Sequence, residues 1–126
     1  MTTAAFTIEN GSIIMDVKGH AGFAELGKDP VCAGASVLAM TCAQCVMGLW
    51  QAGALRKKPR VRVENGRVLV VAKPKEGKQP TVRYPFWVAE TGFRLLEESY
   101  PAAVQVKKSE PAEAVSIEES STLRTE

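Results

Sequence analysis

The stretch DPVCAGASVLAMTCAQCVMGLWQAGALRKKP, Asp29 to Pro59, decides the architecture. Asp29 is a good N-cap, and Pro30 stands at the first helical position, where a missing N–H breaks no intrahelical bond. From Cys32 onward, small and apolar residues occupy nearly every side of a helix until Gly53 and Arg56-Lys57-Lys58 weaken it and Pro59 ends it. All-round apolarity predicts a central, buried helix. Ser36, Thr41, Gln44 and two glycines interrupt the run Val31–Trp50, which favours a core helix over a membrane span. Ala33, Gly34, Ala35, Ala39 and Ala43 suit it to close approach by a sheet or a second subunit.

Upstream, Ala5–Glu9 and Ser12–Gly19 read as two strands joined by Asn10-Gly11, a dipeptide that supplies positive φ for a tight hairpin. Period-two alternation puts Ile13, Met15 and Val17 on one face and Ile14, Asp16, Lys18 and His20 on the other. Ala21–Lys28 reads as a loop, with Gly22 and Gly27 flanking Phe23 and Leu26, able to act as a lid over a site. Downstream, a second hairpin is expected from Arg60–Glu64 and Arg67–Lys73 around Asn65-Gly66. The polar loop KPKEGKQP leads to a helix over Thr81–Ser99, with Val82, Phe86, Val88 or Ala89, Phe93 and Leu96 at helical spacing despite Pro85. Tyr100-Pro101 stops it, and Ala102–Lys107 is a short last strand.

The predicted fold is α+β in two layers. A mainly antiparallel sheet, from two hairpins and the last strand, packs against the long central helix and the second helix. Residues 1–108 are expected to form a single domain. Residues 109–126 hold five glutamates and one arginine, so they carry −4 of a chain whose formal charge is +2, and their Glu/Ser-rich composition predicts disorder. The other 108 residues carry +6, concentrated in Arg56, Lys57, Lys58, Arg60 and Arg62. No aromatic is interleaved with that cluster, so a solvated helix end is expected there and nucleic acid is not the expected partner. Three cysteines are odd for a disulfide framework, and the first residues lack a basic and apolar leader pattern; a reducing, cytoplasmic setting with no membrane contact is expected.

Chemistry concentrates at one pair. His20 ends a strand, Cys32 falls in the first turn of a helix, and a glycine-containing loop joins them. A first-turn Cys meets unpaired N–H groups and the positive end of the helix dipole, which favour thiolate, and a neighbouring imidazole adds to this. Asp29 opposes it if its carboxylate points inward; as an N-cap it is engaged with amides instead. Spacing alone also allows a structural cysteine beside a surface histidine. Cys42-Ala-Gln-Cys45 spells C-x-x-C but lies about three turns inside the helix with no partner pair, so both read as buried small residues rather than redox or zinc ligands. The residues leave two classes of function open: an enzyme with a cysteine nucleophile, or a non-enzymatic ribosome- or RNA-binding module using Arg56 to Arg62.

The run GHAGFAELGKDPVCAGAS, Gly19 to Ser36, resembles the signature of the ribosomal-processing cysteine protease family. There a Gly-His-Ala segment precedes Gly-Lys/Glu-Asp-Ile-Val-Cys-Ala, with a Ser four residues after the Cys. The order of elements over residues 5 to 107 is also similar. The resemblance implies that Cys32 is the nucleophile and His20 its general base, with Asp29, Ser36 and Gly19 as supporting positions. It implies a homodimer and a mobile substrate-binding loop containing Gly22, Phe23, Leu26 and Gly27; no cofactor or metal is expected. The implied substrate is the precursor of a large-subunit ribosomal protein, numbered twenty-seven, whose short N-terminal extension is removed. Pro30 replaces the usual Ile, which suits the first helical position. Amides of the first helical turn are candidate oxyanion donors, and Phe23, Leu26 and Trp87 candidate pocket walls, with core packing the other role expected for Trp87.

Overall fold

The computed structural model describes residues 1–19 and 29–109. His20, the expected loop and the chain from Glu110 onward lie outside these residues. The elements run β1 (Thr2–Glu9), β2 (Ser12–Lys18), α1 (Pro30–Gln51), β3 (Arg60–Glu64), β4 (Arg67–Ala72), α2 (Gln79–Ser99) and β5 (Val104–Ser109). They form the expected α+β architecture, a five-stranded sheet in the order β3-β4-β2-β1-β5 with two helices.

Both Asn-Gly turns form. Asn10 and Gly11 take φ of 51° and 78°, the doubly positive turn whose twist matches the flanking strands. β2 pairs antiparallel with β1 on one side and β4 on the other, whereas β5 pairs parallel to β1. β1 starts at Thr2 rather than Ala5 because it is sandwiched between two strands, and the Thr2 amide donates to the Ala103 carbonyl at 2.7 Å. Ala4, Phe6, Met15, Val17, Val70, Ala72 and Val104 face the helices and form the core with them. Asp16, Lys18 and Arg67 lie on the opposite face, as the alternation requires.

α1 departs from its expected burial. Only the stripe Val31, Ala35, Ala39, Cys42, Ala43 and Val46 is buried, while Val37 and Met40 are 66% and 41% exposed. A helix on one face of a two-layer fold has one side to bury, however apolar the others are. It also ends at Gln51, with Gly53 at a φ of 81°. The basic cluster therefore lies in the connector and edge strand β3, not on a helix end. α2 begins two residues early because Pro80, like Pro30, fits a first turn. Its buried face is Val82, Phe86, Ala89, Glu90 and Phe93, which settles the register on Ala89, and Val88 is exposed. Buried Glu90 is met by Arg94 at 2.9 Å and Lys108 at 3.2 Å, pinning α2 to β5.

Candidate active site

Asp29 caps α1. Its Oδ1 accepts from the Val31 amide at 2.9 Å and the Cys32 amide at 3.2 Å, its carbonyl accepts from the Ala33 amide at 3.0 Å, and the residue is buried. Of the two roles open to this carboxylate, capping is the one adopted. A consequence corrects the expected oxyanion site. Pro30 has no N–H and the next three amides all serve Asp29, so the first turn has no free donor for a developing oxyanion.

Cys32 is partly buried and opens onto a hollow of about 250 Å³. Ser36 and Met40, one and two turns further on, share its wall. The floor and far side come from Thr2, Val17 and Gly19 and from the tip of the second hairpin, Val63 to Val68. Thus Cys32, Ser36 and Gly19 gather at one place, with Asp29 fixing the helix start beside them. His20 follows Gly19 directly in sequence; it and Gly22, Phe23, Leu26 and Gly27 lie outside the described residues.

Gly19 has two reasons to be glycine. Its φ is 89°, and a Cβ there would strike the Met1 carbonyl oxygen. Its amide donates to the Gly66 carbonyl at 2.8 Å, extending the β2–β4 ladder to the hairpin tip. One step away, Arg67 Nε and Nη2 each donate to an Asp16 carboxylate oxygen at 3.0 Å, and Lys18 stands 3.5 Å from the same group. Burial pushes the Asp16 carboxyl up, but hydrogen bonds and charge from Arg67 and Lys18 outweigh it and hold it below the ordinary range. These links hold the hairpin tip at the rim of the hollow.

The hairpin is the part of the site that the sequence reading missed. Asn65-Gly66 signalled a turn, but nothing local says that the turn stands beside Cys32. Trp87 is placed differently from either expectation. It is 43% exposed, stacks edge-to-face on Tyr84 with centroids 6.1 Å apart, and lies away from the hollow. Cys42 is buried as expected, its thiol pushed up to about 12 by desolvation and the nearby Cys45, but Cys45 itself is exposed. Among the described residues no three His, Cys, Asp or Glu gather as a metal cluster.

The family of the cysteine protease Prp matches residues 1–105. The chain belongs to that family. It is therefore a cysteine protease, and a nucleophilic thiol is the group its chemistry requires. Solved structures of the Staphylococcus aureus ribosomal processing protease Prp have the same fold. One with a covalently linked product peptide has a TM-score of 0.69 at 20% identity, over 86% of this chain and 99% of that one. Another, with a substrate peptide, has a TM-score of 0.63 at 20% identity and the same coverage. The Streptococcus mutans protein SMU.848 has a TM-score of 0.61 at 23% identity, over 88% of this chain and 96% of that one. No curated protein matches the sequence.

Proposed function

We propose that this Prp-family protease removes the short N-terminal extension of a large-subunit ribosomal protein precursor, with Cys32 as nucleophile and His20 as general base. The observation that carries this is the setting of Cys32: a partly buried thiol at a capped helix start, open to a hollow, in a chain of a cysteine protease family. The Staphylococcus aureus relative, a ribosomal processing protease solved with a substrate or product peptide, supports the substrate class.

His20 takes the thiol proton and the Cys32 sulfur adds to the scissile carbonyl. The intermediate collapses with loss of the amine, which takes that proton from the imidazolium and leaves as the mature N-terminus. Water, deprotonated by His20, then cleaves the thioester, releasing the extension as a carboxylic acid and restoring the thiol. Ser36, on the same wall as Cys32, supports the site. The setting is cytoplasmic, in keeping with three free cysteines. The protein works as a homodimer, and the apolar groove of about 500 Å³ between α1 and α2, lined by Leu38, Leu49, Pro85 and Val88, supports that assembly.

The test is incubation with an extended ribosomal precursor and mass measurement of the products. Wild type should yield two fragments, Cys32→Ala none, and His20→Ala a rate lower by about two or more orders of magnitude. A folded Cys32→Ala protein that cuts at the wild-type rate would remove Cys32 as the nucleophile, whereas a wild-type protein that binds ribosomes or RNA and cuts no precursor would favour the ribosome- or RNA-binding reading.

A further inference from the structure

The register of the second hairpin fixes which backbone groups of β3 face outward. Glu64 and Arg67 flank the two-residue turn and exchange both hydrogen bonds. Alternation then makes Arg62↔Leu69 and Arg60↔Val71 bonded pairs, and Val61↔Val70 and Val63↔Val68 unbonded ones. The N–H and C=O groups of Val61 and Val63 therefore point away from the sheet, because β3 is one of its two edge strands. Edge strands are commonly blunted by proline and charge. Here Pro59 precedes the strand and Arg60, Arg62 and Glu64 line one face of it, yet among the described residues no backbone group bonds the outward amides of Val61 and Val63.

A second observation meets this one at the same residue. Val63, 55% exposed, lines the hollow onto which Cys32 opens, as does Met40 of α1. The unpaired edge and the nucleophile share one continuous surface.

We propose that the outer edge of β3 is the substrate's docking strip, where the precursor's extended chain adds as a sixth strand bonded to Val61 and Val63. This rests on the protease reading above. Pairing there delivers the backbone to the hollow in an extended form, with alternate side chains directed into it. Those residues meet Met40 and Val63, so the strip selects apolar side chains at every second position. The intervening ones pass over Arg60, Arg62 and Glu64. Continuity with the Cys32 hollow favours a peptide over a second copy, which would occupy the strip that the substrate needs.

The experiment uses a synthetic peptide spanning the junction of extension and mature protein, N-methylated at one backbone amide at a time. With wild-type protein, methylation should lower kcat/KM about tenfold at every second amide and spare the amides between them. On the protein side, Val63→Pro removes an amide that makes no bond within the sheet, so an edge strand tolerates it. Its kcat/KM should fall about tenfold below that of Val63→Ala, which keeps the amide. Should Val63→Pro not fold, the methylation scan decides alone. Normal cleavage with no period-two pattern would overturn the docking strip and leave the protease reading intact. Unchanged kcat/KM in Val63→Pro, with a dimer turned to monomer in light scattering, would give the edge to a second copy. A wild-type protein that cuts no junction peptide or precursor would overturn both.

Discussion

At the residue scale, one carboxylate explains much of the geometry around Cys32. Asp29 stood in the sequence as an N-cap, and it binds the Val31 and Cys32 amides as a cap should. What the sequence did not show is that capping is complete: with Pro30 at the next position, no amide of the first turn is left over. Local rules give the cap, but how many amides it takes up depends on where its carboxylate turns. Asp29→Ala should lower unfolding stability by about 1–2 kcal/mol, the cost of a lost N-cap. Asp29→Asn keeps a capping oxygen and should retain most of that stability. Urea titrations of the two variants test this, and equal losses in both would mean that the carboxylate's charge, not its oxygen, holds the helix start. Gly19 was legible as a signature position but not as a steric necessity, because its constraint is the Met1 carbonyl, just ahead of the neighbouring strand β1.

At the scale of elements, both hairpins could be read from Asn10-Gly11 and Asn65-Gly66, and both helices from their starts and periodicity. What failed was the inference from apolarity to burial in α1. Apolar composition records what a helix can cover, and the number of layers decides what is covered. Contact between the helices depends on glycine instead. Leu96 of α2 rests on Gly34 at ordinary distance, and Leu38 of α1 presses into the space over Gly92. The two sites should respond unequally to a methyl group. A Cβ at Gly34 would meet Leu96 at 3.4 Å and be accepted with little loss, whereas a Cβ at Gly92 would overlap Leu38. Gly92→Ala should destabilise by about 1–3 kcal/mol, the usual cost of overpacking. Adding Leu38→Ala should recover part of that loss relative to the sum of the single changes, a coupling that a double-mutant cycle measures. Additive losses would show that Leu38 already has room to turn aside.

For the whole molecule, the decisive fact is strand order, which no local pattern carries. The alternation in β2 put Asp16 and Lys18 on the polar face, but Asp16's partner Arg67 is 51 positions away and arrives only because β4 pairs with β2. The same pairing brings the hairpin tip to Cys32, so this bridge helps to hold one wall of the site. That connection makes the bridge a reporter of global stability with a defined pH signature. The Asp16 carboxyl is held below its ordinary value of 3.8 in the folded protein. Stabilisation from a depressed carboxyl is fully present above the unfolded value and disappears as pH falls through the folded one. Wild type should therefore exceed Asp16→Asn in Tm by a few degrees at neutral pH. The gap should stay constant down to about pH 5, shrink below 3.8 and close where both side chains are uncharged. High salt should narrow it too, because Arg67 is partly exposed. If the gap instead persisted unchanged at the acid end, shape and hydrogen bonding at position 16 would hold β2 to β4, and the charge on Asp16 would contribute nothing to placing the hairpin at the site.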